Sequence, residues 1–305
     1  MGDLSVRTDE LRATAAAKRN ELRETAAAKG GELRDSAVTK GGELRDTAVT
    51  KGGELRDSAV AKGEELRTSA AANRAEMRRQ MGQLDVPWAR CRVARMAREA
   101  ILQLGLAPLM GLYTRARVHG RERFEELPPP VVLVANHSSH LDTPTILRAL
   151  PMAWRQRTAV AAAADYFYKK RAVANMVALA FNTVPILRRG GGPDNGSFEH
   201  VDSLIDQRWN LLIFPEGTRS RAGELGRLRS GAAVIAVRHG IPIVPVRVRG
   251  THDAMPPGRS WPSRRHGFAS RRHAVEVTFG APIWPGVDED RTHVMARVRG
   301  HLDVT

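Results

Sequence analysis

Residues 131–142, VVLVANHSSHLD, contain a short apolar run followed directly by a polar segment. The run Val131–Ala135 has no polar residue, which is typical of a strand buried on both faces of a sheet. The polar segment includes His137 and Asp142. In open α/β sheets, the functional side chains gather in the loops that follow the strands. This stretch therefore predicts both a buried strand and the location of a site.

Four more apolar runs have a similar character. They are Thr158–Ala164, Leu211–Phe214, Ile243–Val248 and Val275–Phe279. Stretches of helical length lie between the runs, at Thr143–Ala149, Ala172–Phe181, Phe198–Trp209 and Leu228–His239. This alternation predicts an α/β fold, with a mixed, mostly parallel sheet flanked by helices.

His137 and Asp142 are close enough in sequence to meet across the first turn of a helix. Asp142 could then accept a hydrogen bond from one imidazole nitrogen and leave the other nitrogen free to take a proton. A substrate that supplies its own hydroxyl needs no activated serine or cysteine. The same spacing also occurs where a histidine caps a helix beside a surface aspartate, so the pair alone leaves both interpretations open.

A second polar turn, FPEGTRS at residues 214–220, follows the run Leu211–Phe214. It combines a glycine, two hydroxyls, a carboxylate and an arginine. Such a turn can hold a phosphate with backbone N–H groups and an arginine fork, although it could also be an ordinary turn.

The two motifs together resemble the glycerolipid acyltransferase family, whose best-known members are 1-acylglycerol-3-phosphate acyltransferases. The first motif of the family matches Asn136, His137, Ser139 and Asp142, and the second matches residues 214–220 throughout. Three further segments are similar to later family blocks: VPILR at 184–188, IPIVPV at 241–246 and FGAPI at 279–283. The resemblance covers about residues 100–285.

Two positions depart from the family pattern. Asn182 stands where the block around residues 184–188 often begins with glycine. Residues 161–164 are all alanine where many relatives carry a lysine. Both departures concern the substrate sites, so they leave the acceptor less well defined than the reaction.

The resemblance implies a role for each matching residue. His137 would be the general base that deprotonates the acceptor hydroxyl, and Asp142 would orient it. Asn136 and Ser139 would support this pair. The remaining residues would bind the acceptor, with Arg188 and Arg219 on its phosphate and Glu216, Gly217 and Thr218 shaping its site.

The reaction implied by the resemblance transfers a fatty acyl group to lysophosphatidic acid and gives phosphatidic acid, a step of phospholipid synthesis. The donor would be a thioester, either acyl-CoA or acyl carrier protein, and no metal or permanently bound cofactor is implied. Glycerol 3-phosphate and other lysolipid or glycolipid acceptors are alternatives. A non-catalytic protein that binds lipid surfaces is a second alternative.

Residues 1–87 consist of an 11-residue repeat. Glu-Leu-Arg begins at residues 10, 21, 32, 43, 54 and 65, and Glu-Met-Arg follows at 76. Eleven residues make about three helical turns, so each repeat position keeps its face of a helix. On this helix Leu44 and Ala48 form a narrow apolar stripe flanked by Arg45 and Lys51, as in amphipathic helices that lie at a lipid surface.

The glycines of the repeat, at 30, 31, 41, 42, 52, 53 and 63, each weaken a helix by about 1 kcal/mol relative to alanine. We therefore expect the segment to be poorly ordered alone and helical on a lipid surface. It resembles the 11-residue repeats of lipid-binding and desiccation-protectant proteins. A solvated spacer and a right-handed coiled coil are the alternatives.

The formal net charge of +15 belongs almost entirely to residues 88–305, because residues 1–87 carry 16 Lys and Arg against 15 Asp and Glu. Such an excess attracts anionic lipid headgroups or phosphorylated substrates. No nucleic-acid recognition motif accompanies it, so we expect no nucleic-acid partner.

Three segments follow from these patterns. Residues 1–87 are the repeat, residues 88–119 a basic amphipathic helix with a linker, and residues 120–305 the acyltransferase domain. The helix could be a second surface anchor or could pack on the core. Without a secretory signal or an apolar run of about 18 residues, and with one cysteine, Cys91, we expect a cytoplasmic protein lying peripherally on the inner face of the cell membrane.

Overall fold

A computed structural model describes residues 3–163, 171–186, 199–220, 224–264 and 271–303. The chain divides into two units, residues 1–69 and 70–305. None of the helices in these described ranges combines the length and the apolar character needed to cross a membrane.

Seven strands form one sheet in the second unit. They are β1 Thr114–His119, β2 Val132–Ala135, β3 Thr158–Ala163, β4 Thr183–Ile186, β5 Asn210–Ile213, β6 Ile243–Arg249 and β7 His273–Phe279. Their order is β1-β7-β6-β2-β5-β3-β4, and all neighbours are parallel except β6 with β7. The predicted α/β fold with a mixed, mostly parallel sheet is confirmed.

Among the described residues, three α-helices precede β1, and most of the others lie between strands as expected for an α/β protein. The described α-helices are α1 Asp3–Leu84, α2 Arg92–Ala100, α3 Ala107–Tyr113, α4 Asp142–Ala149, α5 Met152–Arg155, α6 Arg171–Phe181, α7 Glu199–Asp206, α8 Gly231–His239, α9 Thr251–Ala254 and α10 Arg291–Leu302. A π-helical stretch, Ile101–Leu106, joins α2 to α3. The turns Pro87–Arg90 and Arg121–Phe124 are 3₁₀-helical.

The central strands are buried on both faces, which accounts for their continuous apolar sequences. Val132 and Val134 of β2 pack in a cluster with side chains of α7, α8 and α10. Leu133 and Ala135 point to the other face and pack with α4. The polar residues of this sheet region are therefore confined to the strand ends, where β2 meets His137.

The sequence prediction missed two strands, β1 and β4, which lie at opposite edges of the sheet. β1 falls within residues 88–119, predicted as helix and linker, and only Thr114 among its residues is buried. Exposed charges such as Arg115 and Arg117 are common on edge strands and hide the apolar pattern. In β4, Pro185 lacks a backbone N–H and is tolerated because the strand is at an edge.

Helix α2 is fixed to the body of the second unit by two consecutive charged residues. The buried Arg98 donates to the carbonyl oxygens of Ala89, Ala178 and Leu179 at 2.6, 3.1 and 2.9 Å. Its neighbour Glu99 accepts two hydrogen bonds from Arg155, at 2.9 and 2.7 Å. Burial, with smaller contributions from nearby arginines, lowers the pKa of Arg98 to about 10. One face of α2 is thus packed on the core.

The other face of the same helical segment is apolar and exposed. Val93, Met96 and Leu104 are 75%, 63% and 79% exposed. The helical part of residues 88–119 therefore has one face packed on the core and one exposed apolar face. Its role as a surface anchor stays a prediction.

Helix α1 is continuous through the glycines of the repeat, whereas the sequence predicted poor order for this segment alone. The strong helix formers Ala, Leu, Glu, Arg and Lys fill most of each repeat and favour the helix over the cost of the glycines. The helix ends at Leu84, three residues before Pro87. Its repeat leucines are exposed, with Leu33, Leu44 and Leu55 at 71%, 72% and 71%.

Asn182 has a backbone conformation that explains why it can stand in the place of a glycine. Its φ is 54°, in the left-handed region, at the end of α6. Glycine takes this conformation without steric cost, and asparagine is the side chain that next most readily adopts it at a helix end. Asn182 is fully buried, and its amide nitrogen donates to the carbonyl oxygen of Thr158 at 3.1 Å.

Replacement of Asn182 by glycine and by alanine should therefore differ in stability. We expect both variants to lose about 1 kcal/mol with the hydrogen bond to Thr158. Asn182→Ala should be less stable than Asn182→Gly by about 1 kcal/mol more, because a Cβ is strained at this φ. Urea unfolding of the two variants measures the difference. Equal stability of the alanine and glycine variants would contradict the left-handed conformation.

Candidate active site

His137 and Asp142 meet just beyond the carboxyl end of β2. Nδ1 of His137 lies 2.9 Å from Oδ2 of Asp142, the first residue of α4. A carboxylate only accepts hydrogen bonds, so Nδ1 carries the hydrogen and Nε2 is left to accept a proton. Asp142 is fully buried, and the side chain of His137 is 19% exposed. The pair has the orientation that general-base catalysis requires.

Three further donors surround the carboxylate of Asp142. The backbone N–H groups of Ser138 and Ser139 donate to Oδ2 at 2.7 and 2.8 Å. The hydroxyl of Thr251 donates to Oδ1 at 2.5 Å from the start of α9. A buried carboxylate is costly unless it is fully hydrogen-bonded, and here both oxygens are engaged.

Asn136 and Ser139 hold the loop that carries the pair. The side-chain amide of Asn136 donates to the carbonyl oxygen of Val248 at 2.9 Å and accepts from its N–H at 2.8 Å, which ties the end of β2 to β6. The hydroxyl of Ser139 donates to the carbonyl oxygen of Met255 at 2.7 Å. Both side chains are used within the protein, in keeping with a supporting role.

The turn at residues 214–220 is bound directly to His137. Glu216 accepts from the backbone N–H of His137 at 2.8 Å with one carboxylate oxygen and from that of Gly226 at 2.9 Å with the other. The N–H of Ser220 donates to the carbonyl oxygen of His137 at 2.8 Å. The ring of Phe214 stacks on the imidazole of His137, with the ring centroids 4.2 Å apart. The two sequence motifs therefore form one site.

Gly217 is required at its position by conformation and by space. Its φ is +72°, and a Cβ there would lie 3.0 Å from Nε of Arg229. Thr218, the next residue, is exposed, and Arg219 is partly buried. Arg188, predicted with Arg219 to bind phosphate, lies outside the described residues.

Arg219 contributes positive charge to the site. Partial desolvation lowers the pKa of His140 below its ordinary value, and the charges of Arg219 and His137 lower it further, while Asp142 opposes the shift. The cation of Arg219 is therefore close enough to act on a group beside His137, and it would attract an anionic substrate.

An apolar cavity of about 390 Å³ opens at His137. Its walls come from α3, α6, β3 and the loop after β2, and include Leu109, Val177, Phe181 and the alanines at 161–163. Small side chains on β3, where relatives often carry lysine, keep this wall apolar. The cavity has the chemistry of a site for an aliphatic chain.

A more polar groove of about 840 Å³ lies at the turn of residues 214–220. It is lined by residues 214–218, Ser220, Arg227, Arg229 and the start of α8. Phe214 and Gly217 line both spaces. An apolar and a polar compartment thus meet beside His137. Within the described ranges, no group of three or more His, Cys, Asp or Glu side chains is placed to hold a metal ion.

Comparison with known proteins agrees with this arrangement. A family model described as Acyltransferase matches residues 115–249. The chain is 29% identical over 224 residues to 1-acyl-sn-glycerol-3-phosphate acyltransferase alpha of Bos taurus, a match that covers 71% of each chain. It is 28% identical over 151 residues to a chloroplastic 1-acyl-sn-glycerol-3-phosphate acyltransferase of Brassica napus, covering 48% of this chain and 40% of the relative.

A solved structure shares the fold. The crystal structure of PlsC, the 1-acyl-sn-glycerophosphate acyltransferase of Thermotoga maritima, matches with a TM-score of 0.50 and 23% identity, over 68% of this chain and 78% of that chain. Residues 115–249 therefore match the Acyltransferase family, and the chain is similar to 1-acyl-sn-glycerol-3-phosphate acyltransferases. The matches to two plant relatives span 40% and 39% of the lengths of those proteins.

One member of this candidate site could not be found from the sequence. Thr251 contacts Asp142 across 109 positions of sequence, from a turn that follows β6. A single threonine after a glycine matches no sequence motif that would mark it as part of a site. The structure alone brings it to the carboxylate.

Proposed function

We propose that the protein transfers a fatty acyl group from an acyl thioester to the free hydroxyl of lysophosphatidic acid, giving phosphatidic acid in phospholipid synthesis. The observation that carries this proposal is the His137–Asp142 pair at an apolar cavity, beside the turn whose Phe214 and Gly217 line both that cavity and a more polar groove. Lysophosphatidic acid has the same two parts, an aliphatic chain and a phosphate. The names of the relatives from Bos taurus and Brassica napus support this acceptor.

The chain's own residues account for the proton transfers of this reaction. Nε2 of His137 takes the proton of the acceptor hydroxyl as its oxygen attacks the thioester carbonyl carbon. The C–O bond forms, the C–S bond breaks, and the imidazolium returns the proton to the leaving thiolate. Asp142 holds the ring and stabilises the imidazolium between these two steps.

The burial and hydrogen bonding of the nearby serines favour direct transfer of the acyl group, without an acyl-enzyme intermediate. The side chains of Ser138 and Ser139 belong to residues that are 5% and 0% exposed. The Ser138 hydroxyl bonds Thr251, and that of Ser139 bonds the Met255 carbonyl. Neither hydroxyl bonds the imidazole, as an activated serine nucleophile would.

The acceptor phosphate is assigned to the polar side of the site. Arg227 and Arg229 line the polar groove. Arg219 supplies positive charge near His140, and Glu216 holds the turn that carries Arg219. Arg188 is retained as a second phosphate ligand on the family resemblance. Glycerol 3-phosphate and other lysolipids or glycolipids remain alternative acceptors, and the donor is acyl-CoA or acyl carrier protein.

Removal of the base should abolish the reaction. We expect His137→Ala to lower the rate of acyl transfer from acyl-CoA to lysophosphatidic acid by at least about 100-fold, the usual contribution of a general base. The matched control is His239→Ala, since His239 forms another His–Asp pair, 2.9 Å from Asp202, on α8.

The control should keep wild-type activity. A His137→Ala variant within tenfold of the wild type would contradict the assignment of the base. If the wild type acylates glycerol 3-phosphate but not lysophosphatidic acid, the proposed acceptor is wrong, whereas the role of His137 as the base is unaffected.

We also propose that the protein is cytoplasmic and works peripherally at the inner face of the cell membrane. Val93, Met96 and Leu104 form an exposed apolar face on a helix whose opposite face is fixed to the body. The positive charge of residues 88–305 suits a surface of anionic lipid. A water-insoluble acceptor and product also favour a site at the lipid surface.

Helix α1 is proposed as a second lipid-binding element, through the stripe of Leu33, Leu44 and Leu55. Val38, Val49 and Val60 repeat with the same spacing but lie about 130° around the helix from the leucines. Lys40 and Lys51 lie next to the leucine stripe, where their charges can reach headgroups. The valine face therefore supplies a matched control.

Substitution of these three leucines by glutamine should weaken binding to vesicles that contain anionic lipid, by tenfold or more, and should leave acyl transfer to detergent-dispersed substrate unchanged. The triple valine-to-glutamine variant should bind nearly as the wild type does. Vesicle sedimentation measures the binding of both triple variants, and an acyl-transfer assay in detergent measures their activity. Equal binding by the leucine variant and the wild type would show that α1 is a spacer.

A further inference from the structure

We propose that Thr251 is a positioning residue for acyl transfer, whose hydroxyl fixes the carboxylate of Asp142 and through it the ring of His137. This inference rests on the proposed function of the site. Thr251 belongs to neither of the two sequence motifs and reaches Asp142 from α9.

The two oxygens of Asp142 are held in different ways. Oδ2 receives three donors, namely Nδ1 of His137 and the N–H groups of Ser138 and Ser139. Among the described residues, the hydroxyl of Thr251 is the one donor to Oδ1, at 2.5 Å. The final torsion of an aspartate side chain is broad and weakly restrained by itself. A donor on Oδ1 therefore sets the plane of the carboxylate, and with it the direction in which Oδ2 meets the imidazole.

The orientation of the Thr251 hydroxyl is itself determined. Its oxygen lies 3.2 Å from the hydroxyl oxygen of Ser138. Because the Thr251 hydrogen is given to the carboxylate, the hydrogen between the two hydroxyls comes from Ser138. The Ser138 hydroxyl therefore donates to Thr251, and the Thr251 hydroxyl donates to Asp142. Each of the two hydroxyl hydrogens thus has a single acceptor.

A glycine turn places Thr251 at this position. Gly250 has a φ of +80°, and a Cβ there would lie 2.0 Å from the carbonyl oxygen of Ala274. This turn ends β6 and places Thr251, fully buried, as the first residue of α9. The same end of β6 is bound to Asn136 through Val248, so the loop after β2 and the turn after β6 are built as one unit.

Thr251 lines neither the apolar cavity nor the polar groove. It can therefore affect the reaction through Asp142 and His137 but not through contact with substrate. Loss of its hydroxyl should lower kcat and leave KM nearly unchanged, because a small misplacement of a catalytic group is enough to slow the chemical step.

The test compares Thr251→Val, which keeps the shape and removes the hydroxyl, with Thr251→Ser, which keeps the hydroxyl. The matched control is Thr145→Val, because Thr145 is also buried and its hydroxyl donates to the Leu141 carbonyl at 2.6 Å rather than to Asp142. We expect Thr251→Val to lower kcat by about 10- to 100-fold with KM within about twofold, Thr251→Ser to restore most of kcat, and Thr145→Val to keep kcat.

A second readout needs no substrate. Nitrogen NMR of histidine-labelled protein, with His137 assigned from a His137→Gln spectrum, reports which ring nitrogen carries the hydrogen. In the wild type and in Thr251→Ser, the hydrogen should reside on Nδ1. In Thr251→Val, we expect the two tautomers to mix.

Several results would overturn the proposal. They are a Thr251→Val variant with kcat within twofold of the wild type, a serine variant as slow as the valine variant, and an equal loss of kcat in Thr145→Val, which would indicate general destabilisation. If the wild type transfers no acyl group to any acceptor, the proposed function fails. The NMR comparison then still decides whether Thr251 positions His137.

Discussion

The buried carboxylate of Asp142 is the constraint on which the site depends. It has no solvent to stabilise its charge, so every lone pair that the protein leaves unmatched would cost free energy. The partners come from the loop after β2 and from the turn after β6, two strands that are neighbours in the sheet. The sheet register therefore determines whether the carboxylate can be satisfied, and a satisfied carboxylate determines where the His137 ring lies.

The turn at residues 214–220 extends this arrangement to the next strand. β5 lies on the other side of β2 from β6, and its turn binds the backbone of His137 at both the N–H and the carbonyl oxygen. Three adjacent parallel strands thus place their loops around one imidazole. This is the common location of active sites in α/β proteins. An apolar cavity opens at the histidine, and it shares Phe214 and Gly217 with a more polar groove.

Much of this could be predicted from the sequence, because the buried parallel strands β2, β3, β5 and the first half of β6 are almost continuously apolar. β7 instead alternates Val275, Val277 and Phe279 with polar residues. The edge strands β1 and β4 were missed, since exposed arginines and Pro185 interrupt the pattern. The prediction of the His137–Asp142 contact needed only local spacing and the family motif. Thr251 could not be predicted, because its role depends on a sheet pairing and on the φ of Gly250, neither of which a single threonine reveals. Asn182 departs from the family in residue type and keeps the required conformation.

The central claim is that His137 activates the acceptor hydroxyl for direct attack on the thioester. Initial rates measured over a matrix of acyl-CoA and lysophosphatidic acid concentrations test it most directly. Direct transfer needs both substrates bound together, so double-reciprocal lines should intersect. Parallel lines, the pattern of a ping-pong reaction through an acyl-enzyme, would contradict the account and indicate a nucleophile on the chain.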